Sequence, residues 1–351
     1  MRAFIIVVAI LIFASSRAVS EPPYSGTIFV DPDIITQRDE SSFVGLEYRG
    51  LGTETAYDRR RGGAWVTDEF FIFDVAYHDK DGTRVRVNTE FSTPEKAEKE
   101  AIFYAEAVGR LPSILLRDLA TITIHAGNED YGGGNRDILI HTWRTRSYLA
   151  DGILEETLFH EACHTSLDEY LYADPNWAEA RHSDPEFISE YARDYPLRED
   201  VAESCLMAFA ILNRPNRISS TTSRLISEAM PRRIAYFDKF VEFDNEAFAA
   251  IVSETDAEVE SMPSLACVQG EAIGSLAGGY EVSMRIRNDT NSDLQISWLD
   301  WEAKRIQYHS LSAGTSVLQA TFTKHRWVAT NAAGECIAIV EPKEDGTWVI
   351  K

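Results

Sequence analysis

Residues Gly152 to Tyr170 place the tightest constraint on the fold. Leu154, Leu158, Ala162 and Leu167 recur at helical spacing and form one apolar stripe, so the segment reads as a half-buried helix. His160, Glu161 and His164 ride beside that stripe in the order H-E-x-x-H. Positions i and i+4 of a helix share a face, one turn apart. Two imidazoles so placed can grip one zinc ion, and the Glu next to the first His can take the proton of an attacking water. A Lewis acid, an activated water and a general base are the minimum for hydrolysing an amide bond.

A catalytic zinc needs a third protein ligand and an open fourth position. Glu199-Asp200-Val201-Ala202-Glu203 offers two carboxylates at i and i+4 on a second predicted helix. One can bind zinc while the other holds a ligand histidine through its second ring nitrogen. An acidic helix start accounts for Glu199 and Asp200 through the helix dipole. It accounts poorly for Glu203, which falls near the apolar face of Val201, Ala202, Leu206 and Phe209. Cys163 stands about 100° around its helix from His164, which argues against a ligand role.

Arg2, the apolar run Phe4 to Phe13 and the small residues Ala18-Val19-Ser20 read as a signal peptide over residues 1–20. The reading is therefore of a secreted or periplasmic protein. Net charge is −22, from 56 acidic against 34 basic residues, which repels nucleic acid and anionic membranes. All 4 cysteines follow residue 160, and an exported chain can use them in one or two disulfides. Cys267 and Cys336 can staple the C-terminal segment; Cys163 and Cys205 can also pair.

Along the chain, Thr27–Val30, Glu69–Tyr77 and Thr83–Val87 read as strands, with Asp81-Gly82 as a hairpin turn. Pro94 to Gly109 reads as an amphipathic helix. Thr121–His125 and Ile138–Thr142 read as strands on either side of a glycine-rich loop, Tyr131–Asn135. His125 and His141 alternate with apolar residues there and read as structural groups or cleft-lining ones. Then come a polar loop (Tyr172 to Asp184), a short helix (Pro185 to Arg193), the helix Arg198 to Leu212, and a helix from Thr221 to Asp244 broken at Pro231. A seam falls around Asp256 to Gly270. From Glu281 the apolar period becomes two, in Val282, Met284 and Ile286, then Leu294, Ile296 and Trp298.

H-E-x-x-H followed about 35 residues later by E-x-x-A-E resembles the glutamate-type zincin metallopeptidases. Ser189-Glu190-Tyr191-Ala192 is similar to the branch that contains the anthrax lethal factor peptidase domain. The resemblance covers roughly residues 110–245. It implies His160, His164 and Glu199 as ligands of one Zn2+ per chain, with Glu161 as general base. It also implies Glu203 as the partner of a ligand histidine and Tyr191 as the hydroxyl that supports the oxyanion. Zincins pair extended substrate with a strand ahead of the metal helix, here Ile138–Thr142.

Trp298, Tyr308, Thr321, His325 and Trp327 form a second pattern, which resembles the β-domain of the von Hippel-Lindau tumour suppressor. The match needs no gap from Trp298 to Trp327, and Thr321 stands where that family has Ser. The resemblance implies a β-sandwich whose five named residues bind a hydroxyproline-containing peptide; read from the residues alone, the aromatics are core. That family's helical ligase-joining domain has no counterpart before Lys351, so its ligase role is not expected.

The expected fold is thus α+β. A signal peptide (1–20) precedes a zincin-like region of mixed sheet plus active-site helices (21–262) and a small antiparallel β-sandwich (263–351). The expected function is zinc-dependent peptide hydrolysis by a monomer acting on a protein or peptide. The alternative is a non-catalytic, zinc-containing secreted protein that binds through its C-terminal β-domain. A toxin-type or immunity-type effector and hydrolysis of a non-peptide amide share the same residues.

Overall fold

The computed structural model describes residues 21–78, 80–243, 261–267, 273–344 and 346–351. The expected signal peptide, and residues 256–260 and 268–270 of the expected seam, lie outside them. The chain is a mixed α+β structure with a separate small, mainly antiparallel β region.

A six-stranded sheet forms first. Its strands are β1 (Phe43–Asp58), β2 (Ala64–Tyr77), β3 (Lys80–Asn88), β4 (Thr121–His125), β5 (Gly132–Gly134) and β6 (Asp137–His141), in the order β1-β2-β3-β4-β6-β5. β1 to β3 are antiparallel, β3, β4 and β6 are parallel, and β5 runs antiparallel to β6. The strand-rich N-terminal part therefore belongs to the same sheet as the strands ahead of the helix that carries His160 and His164. Phe71, Phe73 and Val75 enter the main core, while Phe70 and Ile72 make a small cluster on the opposite face. That is the period-two alternation of a sheet covered on both sides.

The helices are α1 (Pro94–Val108), α2 (Ser113–Leu116), α3 (Thr145–Asp151), α4 (Leu154–Ser166), α5 (Asp168–Leu171), α6 (Pro175–Ser183), α7 (Glu190–Asp194), α8 (Asp200–Asn213), α9 (Ser220–Ala229) and α10 (Pro231–Phe237). α1 and α4 pack against the sheet and touch each other, and α8 packs on α4. Thr93 caps α1, accepting from the Lys96 N–H, and Pro94 opens its first turn. Pro231 likewise opens α10 and marks the expected break.

Several local expectations need correction. Thr27–Val30 is a turn, not a strand, closed by the Val30 N–H on the Thr27 carbonyl. Tyr77 already pairs with Lys80, so the β2–β3 reversal precedes Asp81-Gly82; Gly82, at φ 78°, sits at a register break instead. The glycine-rich segment is strand β5. Residues 172–184 contain helix α6, whereas the expected helix 185–193 shrinks to α7. The long strand β1 lies within residues 21–92, which read as strands, but was not among the segments named.

The second region holds β7 (Glu281–Asn288), β8 (Leu294–Leu299), β9 (Arg305–Leu311), β10 (Ser316–Phe322), β11 (Arg326–Thr330), β12 (Cys336–Val340) and β13 (Gly346–Ile350). They form two sheets, β10-β7-β13 and β12-β11-β8-β9. All pairs are antiparallel except β7 with β13, which is parallel and departs from the expected all-antiparallel sandwich. Met284, Ile286, Ile296, Trp327, Trp348 and Ile350 fill the space between the sheets. The Cys267–Cys336 disulfide ties the entering chain to β12 across 69 residues, a loop whose closure stabilises by about 4 kcal/mol. Cys163 and Cys205 are buried free thiols, so the second pairing does not form.

One buried acid on α4 has a consequence for stability. Burial pushes the Glu156 carboxyl up to about 8, although its Oε1 accepts the Ile35 N–H at 3.0 Å. A folded-state value above the ordinary 4.5 adds stability that is full below 4.5 and is lost as pH rises through about 8. Glu156→Gln keeps an acceptor and removes the charge. It is expected to raise Tm by several degrees at pH about 9 and to leave it nearly unchanged at pH about 5. An equal change at both pH values would contradict this account.

Candidate metal centre

α4 and α8 meet so that His160, His164 and Glu199 converge. His160 Nε2 and His164 Nε2 lie 3.1 Å apart, Glu199 Oε2 lies 3.2 Å from His164 Nε2, and it lies 3.5 Å from His160 Nε2. Three ligand atoms about 2.0–2.1 Å from one tetrahedral zinc stand about 3.3–3.4 Å from each other. The triangle of donors therefore has the size a zinc ion requires. Two nitrogens and one carboxylate oxygen are also a donor set suited to zinc.

Outer groups orient His164 and Glu199. His164 Nδ1 lies 2.7 Å from Asp168 Oδ2. His160 Nδ1 faces Glu203 Oε1 at 3.5 Å, too long for a hydrogen bond, and Glu203 Oε2 accepts the Thr27 N–H at 2.9 Å. Glu199 Oε1 accepts from the Tyr191 hydroxyl at 2.9 Å and from Arg198 Nε at 2.7 Å, leaving Oε2 to face the imidazoles. Such partners fix the tautomer and direction of a ligand. The start of α8 is itself pinned by Arg233, which is fully buried and paired with Asp184 and Asp200. Losing one partner of such a buried pair costs about 3–5 kcal/mol.

The electrostatics favour a positive guest. Burial pushes the His164 imidazole down, yet the carboxylates of Asp168 and Glu199 outweigh burial and hold it well above its ordinary value. His160 is also raised against burial, chiefly by Glu199. Burial would raise Glu199, but the two imidazoles hold it well below the carboxylate range. Burial pushes Tyr191 up to about 12, with the Glu199 carboxylate adding to the effect, so its hydroxyl stays protonated at neutral pH.

The centre opens into a cleft of about 1230 Å³ whose lining includes His160, Glu161, His164, Tyr191, Glu199 and Glu203. Residues 25, 26, 28 and 29 of the N-terminal segment line it too. β5 lies along α4 so closely that a Cβ on Gly133 would stand 1.9 Å from the Glu161 carbonyl oxygen. β5, not the expected strand Ile138–Thr142 (observed as β6, which ends at His141), is the sheet edge beside α4, because β6 is covered on both sides by β4 and β5.

His125 and His141 do not join the site. They stack 5.9 Å apart in the sheet, and burial pushes them down to about 3 and about 4. Neither lines the cleft at His160 and Glu199.

The five β-domain residues do cluster. Trp327 Nε1 donates to Thr321 Oγ1 at 2.9 Å, and His325 Nδ1 lies 3.4 Å from that oxygen. Tyr308 meets Trp327 edge-on at 4.9 Å, and Trp298 lies 5.3 Å from the His325 ring. Trp327 is buried in the domain core, and Tyr308 is the one of the five that lines the cleft.

Sequence reasoning missed Asp168, Arg198, Thr27 and Gly133. Asp168 had a signal, standing four residues after His164 on the same turn of chain. Thr27 had none, since a backbone N–H leaves no mark in the sequence.

No family model matches the chain, and no curated protein matches it.

Proposed function

We propose that this chain is an exported zinc-dependent endopeptidase of the glutamate zincin type. The observation that carries the reading is the triangle of His160 Nε2, His164 Nε2 and Glu199 Oε2, sized for one zinc ion and open to a large cleft. The metal, when bound, acts as the Lewis acid that polarises the scissile carbonyl. Glu161 takes the proton of the attacking water and delivers it to the leaving amine. Tyr191 holds Glu199 in place and donates to the developing oxyanion on release from that carboxylate. Asp168 holds the His164 imidazole, and the Glu203 carboxylate faces His160 Nδ1. Structural zinc sites are closed, so an open centre beside a carboxylate base favours catalysis over the binding-protein alternative. Export rests on the pattern of residues 1–20 and agrees with the disulfide. No helix among the described residues is long and apolar enough to cross a membrane.

The order of the two glutamates is tested by zinc content. Glu199→Gln is expected to lose most of its zinc, and Glu203→Gln to weaken binding by about 10–100-fold while still loading at high zinc. Full zinc in Glu199→Gln would reverse the assignment.

The β-domain is proposed to bind peptide. That reading rests on the von Hippel-Lindau likeness, which implies a hydroxylated proline ring at Trp298, Tyr308, Thr321, His325 and Trp327; Thr321 and Trp327 are buried. Equal affinity for one peptide with and without the hydroxyl would remove that ligand.

A further inference from the structure

Three strand edges border the metal cleft. β5 ends the six-stranded sheet, β9 ends one sheet of the sandwich and β10 ends the other; each has one sheet partner among the described residues. Glycines of β5, residues 306–309 of β9 and residues 316–319 of β10 all line the same 1230 Å³ cleft as His160 and Glu199. The two regions are fastened around it. Arg285 donates to the Glu169 carbonyl and lies 5.6 Å over the Tyr170 ring.

An open edge is a template for another extended chain, and proteins usually blunt it with Lys, Pro or a cover. Here 306–309 and 316–319 contain no Lys, Arg, Asp, Glu or Pro. Ile306 is 44% exposed and Tyr308 is 39% exposed, on an edge that lies against β2 and meets β10 through His309 Nε2 and Gln319 Oε1, 2.6 Å apart. Tyr308 also stands at a register break of β9, which turns an edge residue out of the regular ladder. The cleft exceeds the roughly 300–1,000 Å³ usual for small-molecule sites, and strand edges along a cleft suit the main chain of an extended peptide.

We infer that β9 and β10 form the second wall of the catalytic cleft and bind an extended, uncharged stretch of the same peptide that is cut at His160, His164 and Glu199. This rests on the peptidase reading. The occupant is a peptide because edges face the space, uncharged because the wall is, and the substrate itself because the wall continues into the metal centre. Recognition and hydrolysis then share one cleft. Apart from Tyr308, the wall is built from residues other than the five-residue aromatic cluster.

The test uses the mature full chain and two quenched fluorogenic libraries of uncharged residues, about six and about twenty residues long. Ile306→Arg places a guanidinium on the β9 edge, and Ser316→Arg does so on β10; matching thermal unfolding and zinc content establish that each variant folds. The ratio of kcat/KM for the long library over the short one is expected to fall about tenfold in each, through KM. The affinity of the long library for Glu161→Gln protein is expected to fall about tenfold when either Arg is added. Unchanged ratio and affinity overturn the proposal, as does an Arg that alters only self-association, which assigns the edge to a second copy. If the wild type cleaves neither library yet binds the long one in an Ile306-dependent way, the peptidase reading fails and the wall stands.

Discussion

Glu161→Gln is expected to bind zinc as the wild type does and to lose peptide hydrolysis by about two to four orders of magnitude, the usual size of a general-base contribution. The amide has the shape of the carboxylate but cannot take a proton. Glu161 lines the cleft and makes no ion pair among the described residues, so the exchange breaks no ion pair. Its backbone carbonyl, which accepts from the Thr165 hydroxyl at 2.9 Å, is untouched. Zinc content, Tm and turnover measured on one preparation separate the outcomes. Equal zinc and Tm with near-normal turnover would contradict the assigned role.

Gly133→Ala is expected to damage the protein out of proportion to one methyl group. The new Cβ would lie 1.9 Å from the Glu161 carbonyl oxygen and 2.6 Å from its carbon. Both atoms belong to the backbone of α4, so neither can swing aside as a side chain would. β5 must move off α4, which removes the bond from the Gly134 N–H to Thr165 Oγ1. Overpacking of this kind costs about 1–3 kcal/mol. Turnover is expected to fall at least tenfold, because the displaced edge and the base share this contact. Wild-type Tm and turnover in Gly133→Ala would show that β5 is free to shift.

Much of the centre was legible because its chemistry is local. His160, Glu161 and His164 follow from one helical turn, and Glu203 stood out as a carboxylate on an apolar face. Glu199 needed more, since the residues alone allowed either glutamate; the distances of Glu199 Oε2 to both imidazoles separate them. What stayed hidden depends on contacts distant in sequence. Gly132–Gly134 has no strand propensity and becomes β5 because β6 offers an edge and α4 leaves no room for a side chain. Thr27–Val30 has strand-like residues, yet the Thr27 N–H is drawn to Glu203, 176 residues away. β1 was concealed by Gly45, Gly50 and Gly52, and is held by its long pairing with β2. The β-domain's period of two announced a sandwich; that β9 and β10 would line the same cleft as His160 and Glu199 is a property of packing alone.

The most direct test is the metal content of the purified mature protein, wild type beside His160→Ala. The account requires about one zinc per wild-type chain, lost in the variant while the β-domain and its disulfide persist. Absence of zinc from both proteins, even after refolding with the metal, would contradict it and leave a binding protein whose β-domain carries the function.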